Sequence, residues 1–452
     1  MRHLRTPRSV RGRLAAAVVT VFLLACAVTV GGLVLGNGGG RAPALVPAPP
    51  SPDVPVDRGA AAGLTGAVNA LQARLRERPG DWLGWAGLGA AYVEQARTTG
   101  DPTRYPQAER ALGRSLALRP RGNDAGLAGR AALAAARHDF RAALRDADAS
   151  LAVNPYGERA LAVRVDALVE LGRYDAALAA ARHADAVHPG LPSFTRLAYV
   201  RELHGDAEGA RKVLDLARRS AAQPADIAYV ATALGQLARS QGQYPEALRH
   251  YGDALRAVPA HLPALEGRAR TYAARGELDK AARELREVVR RYPLPGPLAA
   301  LGEVYEARGE RALAQRQYAL AGTWDDLARA NGVAVDLDTA LIEADHGDRR
   351  AALRAARAEW ARRHTVHSAD ALAWALHRTG RDREALPYAE RAAAPGFRDA
   401  AFLYHRGMIE RALGRTDDAR RDLSAALRLD PGFSPTGSAA ARSALASLEA
   451  GR

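Results

Sequence analysis

Apolar positions along this chain recur in paired blocks. Between Pro297 and Trp324, residues Leu298, Leu301, Val304 and Tyr305 fall at i, i+3, i+6 and i+7, one face of a helix. Gly309 stands where that helix must stop, since a residue just past a helix C-terminus often takes a left-handed conformation that glycine adopts cheaply. Ala314, Tyr318 and Ala321 then mark the inner face of a second helix. The small residues Gly302 and Ala314 let the two helices approach, while Leu301, Tyr305 and Tyr318 fill the space between pairs. A proline closes the second helix at Pro120, Pro155, Pro189, Pro259, Pro293 and Pro431, because it cannot continue the hydrogen-bond ladder.

The unit repeats. Glycines stand at Gly172, Gly205, Gly242, Gly276, Gly309, Gly347, Gly380 and Gly414, with gaps of 33, 37, 34, 33, 38, 33 and 34 residues. Five residues after each comes an alanine, from Ala177 to Ala419. A fixed internal offset on a period near 34 predicts an array of helix pairs in which each repeat buries its faces only against its neighbours. The residues that carry the period resemble the tetratricopeptide repeat. Its Leu-Gly-x-x-Tyr stretch is matched by Leu88, Gly89, Tyr92 and by Leu301, Gly302, Tyr305, and its Gly-x-Tyr-x-x-Ala stretch by Gly172, Tyr174, Ala177 and by Gly242, Tyr244, Ala247. The closing Ala-Leu-x-Leu-Asp-Pro appears as Ala426 to Pro431, and Trp85 takes the first-helix aromatic of the opening repeat. The resemblance implies an all-α fold: a right-handed α-solenoid of about ten helix pairs covering Asp81 to Pro431.

The pattern also departs from the family. His138 replaces the inter-helix glycine of the second repeat, and extra residues lie between Arg97 and Pro106. Longer steps fall around Ser220–Pro224 and around Gly322–Leu337, where Trp324, Asp325 and Asp326 precede a weakly patterned stretch. The repeat near Gly347 lacks both aromatic and closing proline. Such insertions read as tolerated loops at the rim.

The ends are different in kind. Residues 1–13 carry Arg2, Arg5, Arg8, Arg11 and Arg13, and residues 14–36 are 23 uncharged positions, long enough to span a bilayer as one helix. An uncleaved N-terminal transmembrane anchor is expected, with the positive charge cytoplasmic and the array extracytoplasmic. A cleaved signal sequence, or a lipoprotein at Cys26, is the alternative. Residues 37–63 form a Pro/Gly-rich linker, 64–80 an N-capping helix, 81–434 the repeat array and 435–452 a C-capping helix.

The net charge of +14 would suggest nucleic acid or anionic membrane as a partner, but five of those charges precede the anchor and most other arginines interleave with acids. No nucleic acid is expected. With one cysteine the chain can form no intramolecular disulfide. Only Lys212 and Lys280 among the basic residues are lysine, and alanine is abundant, a bias that reads as a GC-rich, bacterial genome.

No catalytic motif is present: there is no nucleophile elbow, no His-Glu-x-x-His and no phosphate loop. The chain reads as a non-enzyme without cofactor, a scaffold that binds a protein or peptide. If first helices line a concave groove, the register places Tyr199, Glu202, Gln236, Arg239, Arg270, Glu303, Glu306, Trp374, His377, Tyr404 and Arg411 along it. Trp374 is the sharpest candidate anchor, since large aromatics and arginine dominate interface energetics. His364, His367, His377 and His405 gather nearby with Trp374, Tyr404 and Met408, so a metal-handling protein built on them, or an unrecognised enzyme, stands as the alternative function. The family's acidic-tail clamp would need asparagines at set first-helix places, and none of the five falls there.

Overall fold

The computed structural model describes residues 58–99 and 101–450. The expected membrane segment, the basic N-terminus and most of the linker lie outside them, and among the described residues no helix is long and apolar enough to cross a membrane. Every described element is helical. α1 (Arg58–Glu77) begins inside the stretch read as linker and covers the first pair, α2 (Trp82–Thr99) and α3 (Tyr105–Leu118), whose connection holds one 3-10 turn at Pro102–Arg104. Then come α4 (Asp124–Ala136) with α5 (Phe140–Val153), α6 (Glu158–Glu170) with α7 (Tyr174–Val187), and α8 (Leu191–Leu203) with α9 (Ala207–Ser220). α10 (Pro224–Ser240) pairs with α11 (Tyr244–Ala257), α12 (Leu262–Ala274) with α13 (Leu278–Arg291), and α14 (Pro295–Ala307) with α15 (Arg311–Ala330). The last pairs are α16 (Asp336–His346) with α17 (Arg349–Arg362), α18 (Val366–Arg378) with α19 (Asp382–Ala393), and α20 (Ala400–Ala412) with α21 (Thr416–Leu429), sealed by α22 (Gly437–Ala450).

Local chemistry sets these boundaries. Gly172 has φ 71°, and Arg173 N–H reaches back to the Leu168 carbonyl at 2.9 Å, which closes the helix on its own last turn. Six of the other repeat glycines share that conformation, while Gly347 has φ −140° and the turn is held instead by Asp348 N–H on the Glu343 carboxylate at 2.6 Å. The expected close approach is also present. A Cβ on Gly302 would lie 2.4 Å from Tyr318 Cε1, so the ring of the second helix occupies the space a side chain would need. Gly302→Leu is expected to expel that ring and cost about 2–4 kcal/mol, read as a lower urea midpoint.

First helices pack on one another along the array and second helices do not to a comparable extent, which puts the first helices on the inner face of the coil. That coil closes on itself. Tyr292 Oη donates to the Arg97 carbonyl at 3.0 Å, His138 Nδ1 meets the Ala334 carbonyl at 2.7 Å, and Val366 N–H donates to Tyr174 Oη at 2.8 Å. The Arg363 guanidinium bonds the Glu170 carboxylate, and Tyr244 Oη bonds Asp430. These partners stand 195, 196, 192, 193 and 186 residues apart. At a period near 34 that separation is roughly five and a half repeats. The ten pairs therefore make nearly two superhelical turns, and the second rests on the first along a continuous seam.

The expectation that each repeat touches only its neighbours is corrected by this seam. One hydrophobic core joins Tyr105, Phe140 and Val163 of the first turn to Leu294, Trp324, Val333 and Val335, and another joins Leu161, Tyr174 and Leu197 to Val366. Burial across turns is available here because the inter-helix turns of one coil lie against the loops of the next.

Two departures from the repeat pattern also take part in this contact. His138 sits at φ 61°, its ring stacks on Phe140 at 5.6 Å, and burial lowers its pKa to about 4. A neutral ring facing a carbonyl must carry its proton on Nδ1 and donate. Glycine could take the same backbone but could not make that bond. The weakly patterned stretch after Gly322 extends α15 and then delivers Val333, Ala334 and Val335 to the first turn. These residues are docking segments rather than tolerated rim loops.

Candidate functional site: the inner face and the seam

The inner-face candidates fall into three groups. Trp374 is 2% exposed and Tyr404 is 8% exposed, so neither lines an open groove. Trp374 Nε1 donates to Asp345 at 2.9 Å, and its ring stacks on His405 at 4.1 Å and on His377 at 4.9 Å. The aromatic–histidine gathering is real, but it is a packed layer between α16, α18 and α20. The correction has a simple cause: neighbouring first helices lie close enough here that one large ring fills the gap. Trp374→Ala should therefore behave as a core truncation and cost about 3–5 kcal/mol, seen as an earlier thermal or urea transition.

A second group lies at the seam. Tyr199 Oη is 3.4 Å from His367 Nε2, Glu202 accepts from Ser240 Oγ at 3.1 Å, and Arg239 lies 3.9 Å from Asp430. Burial, with Asp399 adding to it, raises Glu202 to about 6 from an ordinary 4.5. A carboxyl raised in the folded state favours folding at low pH, and that contribution is lost as pH climbs from about 4.5 through 6. Glu202→Gln should then gain on the parent protein by about 1–2 kcal/mol above pH 6 and not below pH 4.5, measured as denaturation midpoints across that range.

The third group remains reachable from the inner face. Arg270 bonds Glu266 at 2.9 Å and the Gly296 carbonyl at 3.1 Å, and Glu303 and Glu306 flank His346 at 3.9 and 3.1 Å. His346 stacks on Tyr318, whose hydroxyl donates to Glu306 at 3.1 Å. Burial pulls the His346 imidazole down, but Glu303, Asp345 and Glu306 outweigh it and its pKa is raised. Gln236 is half-buried and Arg411 exposed. His377 bonds Asp382 at 2.5 Å.

The histidines do not converge. His405 Nδ1 meets Asp370 at 3.0 Å, His367 lies between Phe397 and Phe402, and His364 lies tilted against Trp360 at 4.1 Å. Among the described residues no group of three or more such side chains is placed to hold a metal ion.

Sequence reasoning missed the most buried charges. Arg196 bonds Asp166 through two contacts of 2.9 Å, with side chains 2% and 0% exposed, tying α8 to α6. At the seam, Arg363 bonds both Glu170 and Glu359, and its guanidinium lies 5.1 Å from the Phe140 ring centre. Burial raises Glu170, with Arg363 opposing, and pushes Asp338 well above its ordinary value, with Asp325 adding to it. The signal available in the sequence was an acid at the end of a first helix, Glu170, with an arginine-rich segment one superhelical turn later. Nothing in one repeat reveals the length of that turn.

A tetratricopeptide-repeat family model matches residues 232–294 and 371–434. Those segments span α10–α13 and α18–α21; the stretch between them holds the long α15 and Gly347, which lacks the left-handed turn. Among solved structures, the chain is similar to the Cut9–Hcn1 hetero-tetramer of the APC/C, at 14% identity over 80% of this chain and 76% of that one, TM-score 0.41. It is similar to a thermophilic TPR protein of Thermus thermophilus, at 24% identity over 37% and 91%, TM-score 0.35. It is also similar to human IFIT1, solved as a dimer with m7Gppp-AAAA, at 16% identity over 69% and 72%, TM-score 0.45. No curated protein matches the chain. Residues 232–294 and 371–434 are thus matched as tetratricopeptide repeats, and helix pairs of the same kind make up the rest of the array.

Proposed function

We propose that this chain is a membrane-tethered, extracytoplasmic scaffold that recruits a protein or peptide partner, and that it acts by binding, without a cofactor. Tetratricopeptide arrays serve in general as protein-interaction scaffolds. The observation that carries the reading here is the inner face: Gln236, Arg270, Glu303 and Glu306 present polar groups along successive first helices, held in place by His346 and Gly296. Preorganised polar side chains lose little entropy when a partner arrives. The uncharged segment 14–36 behind five arginines supports the tether, and the linker gives the array reach.

Photo-crosslinking side chains placed at Gln236 and Glu303 test the reading in the native host. Discrete adducts at both positions, absent when the same group replaces Arg256 on α11, are expected. Adducts of equal yield at all three would contradict it. For the tether, the full chain should stay with membranes through an alkaline wash, and a reporter fused after Arg452 should be accessible from outside. A full chain recovered with soluble proteins would sink that part.

A further inference from the structure

The second helices form the outer face, and several of them pair basic side chains with acids of the same helix. On α9, Lys212 meets Glu208 at 3.3 Å; on α11, Arg256 meets Asp253; on α13, Arg290 meets Glu287 at 2.7 Å; on α21, Arg420 meets Asp417 at 2.8 Å. α17 differs. Arg350, Arg354 and Arg357 stand exposed at i, i+4 and i+7, one stripe of its outer face. Arg350 and Arg357 make no ion pair among the described residues, and Arg354 only approaches the N-cap Asp348 at 3.7 Å. The one acid on the helix, Glu359, is buried and already bound to Arg362 and Arg363.

The stripe runs into an aromatic platform. Trp360 is half-buried, with Tyr388 of α19 edge-on at 5.3 Å and the Arg391 guanidinium 5.4 Å from its ring centre. Tryptophan, tyrosine and arginine at the edge of a packed surface are the side chains that dominate interface energetics. The main chain of His364, beside this platform, also forms the close approach to Gly172, so the patch is braced by the seam.

We propose that this outer face of α17 and α19 docks an acidic segment of a protein partner, with carboxylates on Arg350, Arg354 and Arg357 and an apolar side chain against Trp360 and Tyr388. The surface lies outside the inner face and does not depend on it. Three guanidiniums over seven residues span about 10 Å, a length that suits a short run of Asp or Glu, and the planar fork of arginine pairs with carboxylates through two bonds. A single-stranded nucleic acid would gain most from an open ring face on which to stack a base, and His364 lies against Trp360 at 4.1 Å. A membrane surface would need apolar side chains standing clear of the helix, and Trp360 is packed on the core beneath.

The probe is a fluorescein-labelled peptide, three glutamates, a leucine and three more glutamates, titrated with the full chain in detergent and read by anisotropy at 50 and 300 mM salt. Saturable binding is expected, weakened at the higher salt. Arg354→Glu with Arg357→Glu should weaken it at least tenfold, while Arg218→Glu with Arg256→Glu, the same charge change elsewhere on the outer face, should leave it within twofold. Circular dichroism checks that both variants fold. No saturable binding, or equal weakening by the two pairs, would overturn the proposal. So would tighter capture of oligouridylate or of phosphatidylglycerol vesicles that the α17 pair abolishes. The crosslinking of the inner face reads out a different surface, so either result can fail alone.

Discussion

Replacing Gly172 with alanine should destabilise the protein by about 3–5 kcal/mol, while the same change at Gly380 should cost only about 1–2 kcal/mol. Both glycines end a first helix in the left-handed region, at φ 71° and 75°. Alanine therefore suffers the same backbone strain at each. The difference is what lies opposite. Around Gly380 a Cβ would meet nothing within 4 Å, whereas at Gly172 it would lie 2.2 Å from the His364 carbonyl oxygen of the next turn. Backbone cannot swing aside as a side chain does, so the turns must part locally. Parting them strains the Val366–Tyr174 bond at 2.8 Å and the Arg363–Glu170 pair beside it. Gly205 repeats the situation, with a Cβ 2.5 Å from the Gly396 carbonyl. Urea midpoints of the two variants give the comparison. Equal losses would mean that contact between turns adds nothing to stability.

Arg363→Met is expected to cost a comparable amount, about 3–5 kcal/mol at neutral pH, because it removes the guanidinium shared by two buried carboxylates and leaves Glu359 with Arg362 alone. Glu170 is 7% exposed and Glu359 is 2% exposed, and both are bonded by this one guanidinium. The pH dependence follows from the charges. Burial pushes Glu359 up, but Arg363 and Arg362 outweigh it and hold it below its ordinary 4.5, so its stabilisation is present above that value and lost as pH falls. In the variant Glu359 keeps only Arg362, and ionised Glu170, which has lost Arg363, opposes folding at neutral pH. Protonation relieves it. The gap between parent and variant should narrow below about pH 5, whereas loss of packing alone would leave it unchanged with pH.

Much of the fold was legible because each repeat carries its own instructions. Gly309, Ala314 and Tyr318 define one helix pair from within a short segment, and the period copies that definition along the chain. The inner-face assignment of Arg270, Glu303 and Glu306 follows from the same register. What the sequence withheld is set by small rotations summed over many repeats. A few degrees per pair decide whether a solenoid stays open or brings its second turn onto its first, and no single residue encodes that angle. Trp374 shows the consequence locally: the register puts it on a first helix, but the narrow spacing of α16, α18 and α20 turns an expected anchor into core. His138 and the stretch from Gly322 to Leu337 did register as irregularities. Their reason was invisible because their partners, Ala334 and Phe140 among them, lie nearly two hundred residues from one another in sequence.

The seam between turns is the central claim, and hydrogen exchange on Arg363→Met tests it most directly. In an array whose repeats touch only neighbours, lost protection would be greatest in α16–α18 and fade steadily with distance along the chain. In a coil closed by its seam, the amides of Gly172 and Arg173, bonded to Val169 and Leu168, should lose protection as strongly as those of Arg363 and Val366. Helices between them in sequence, such as α12 and α13, should change less. Loss confined to α16–α18, with residues 168–174 exchanging as in the parent protein, would contradict the account.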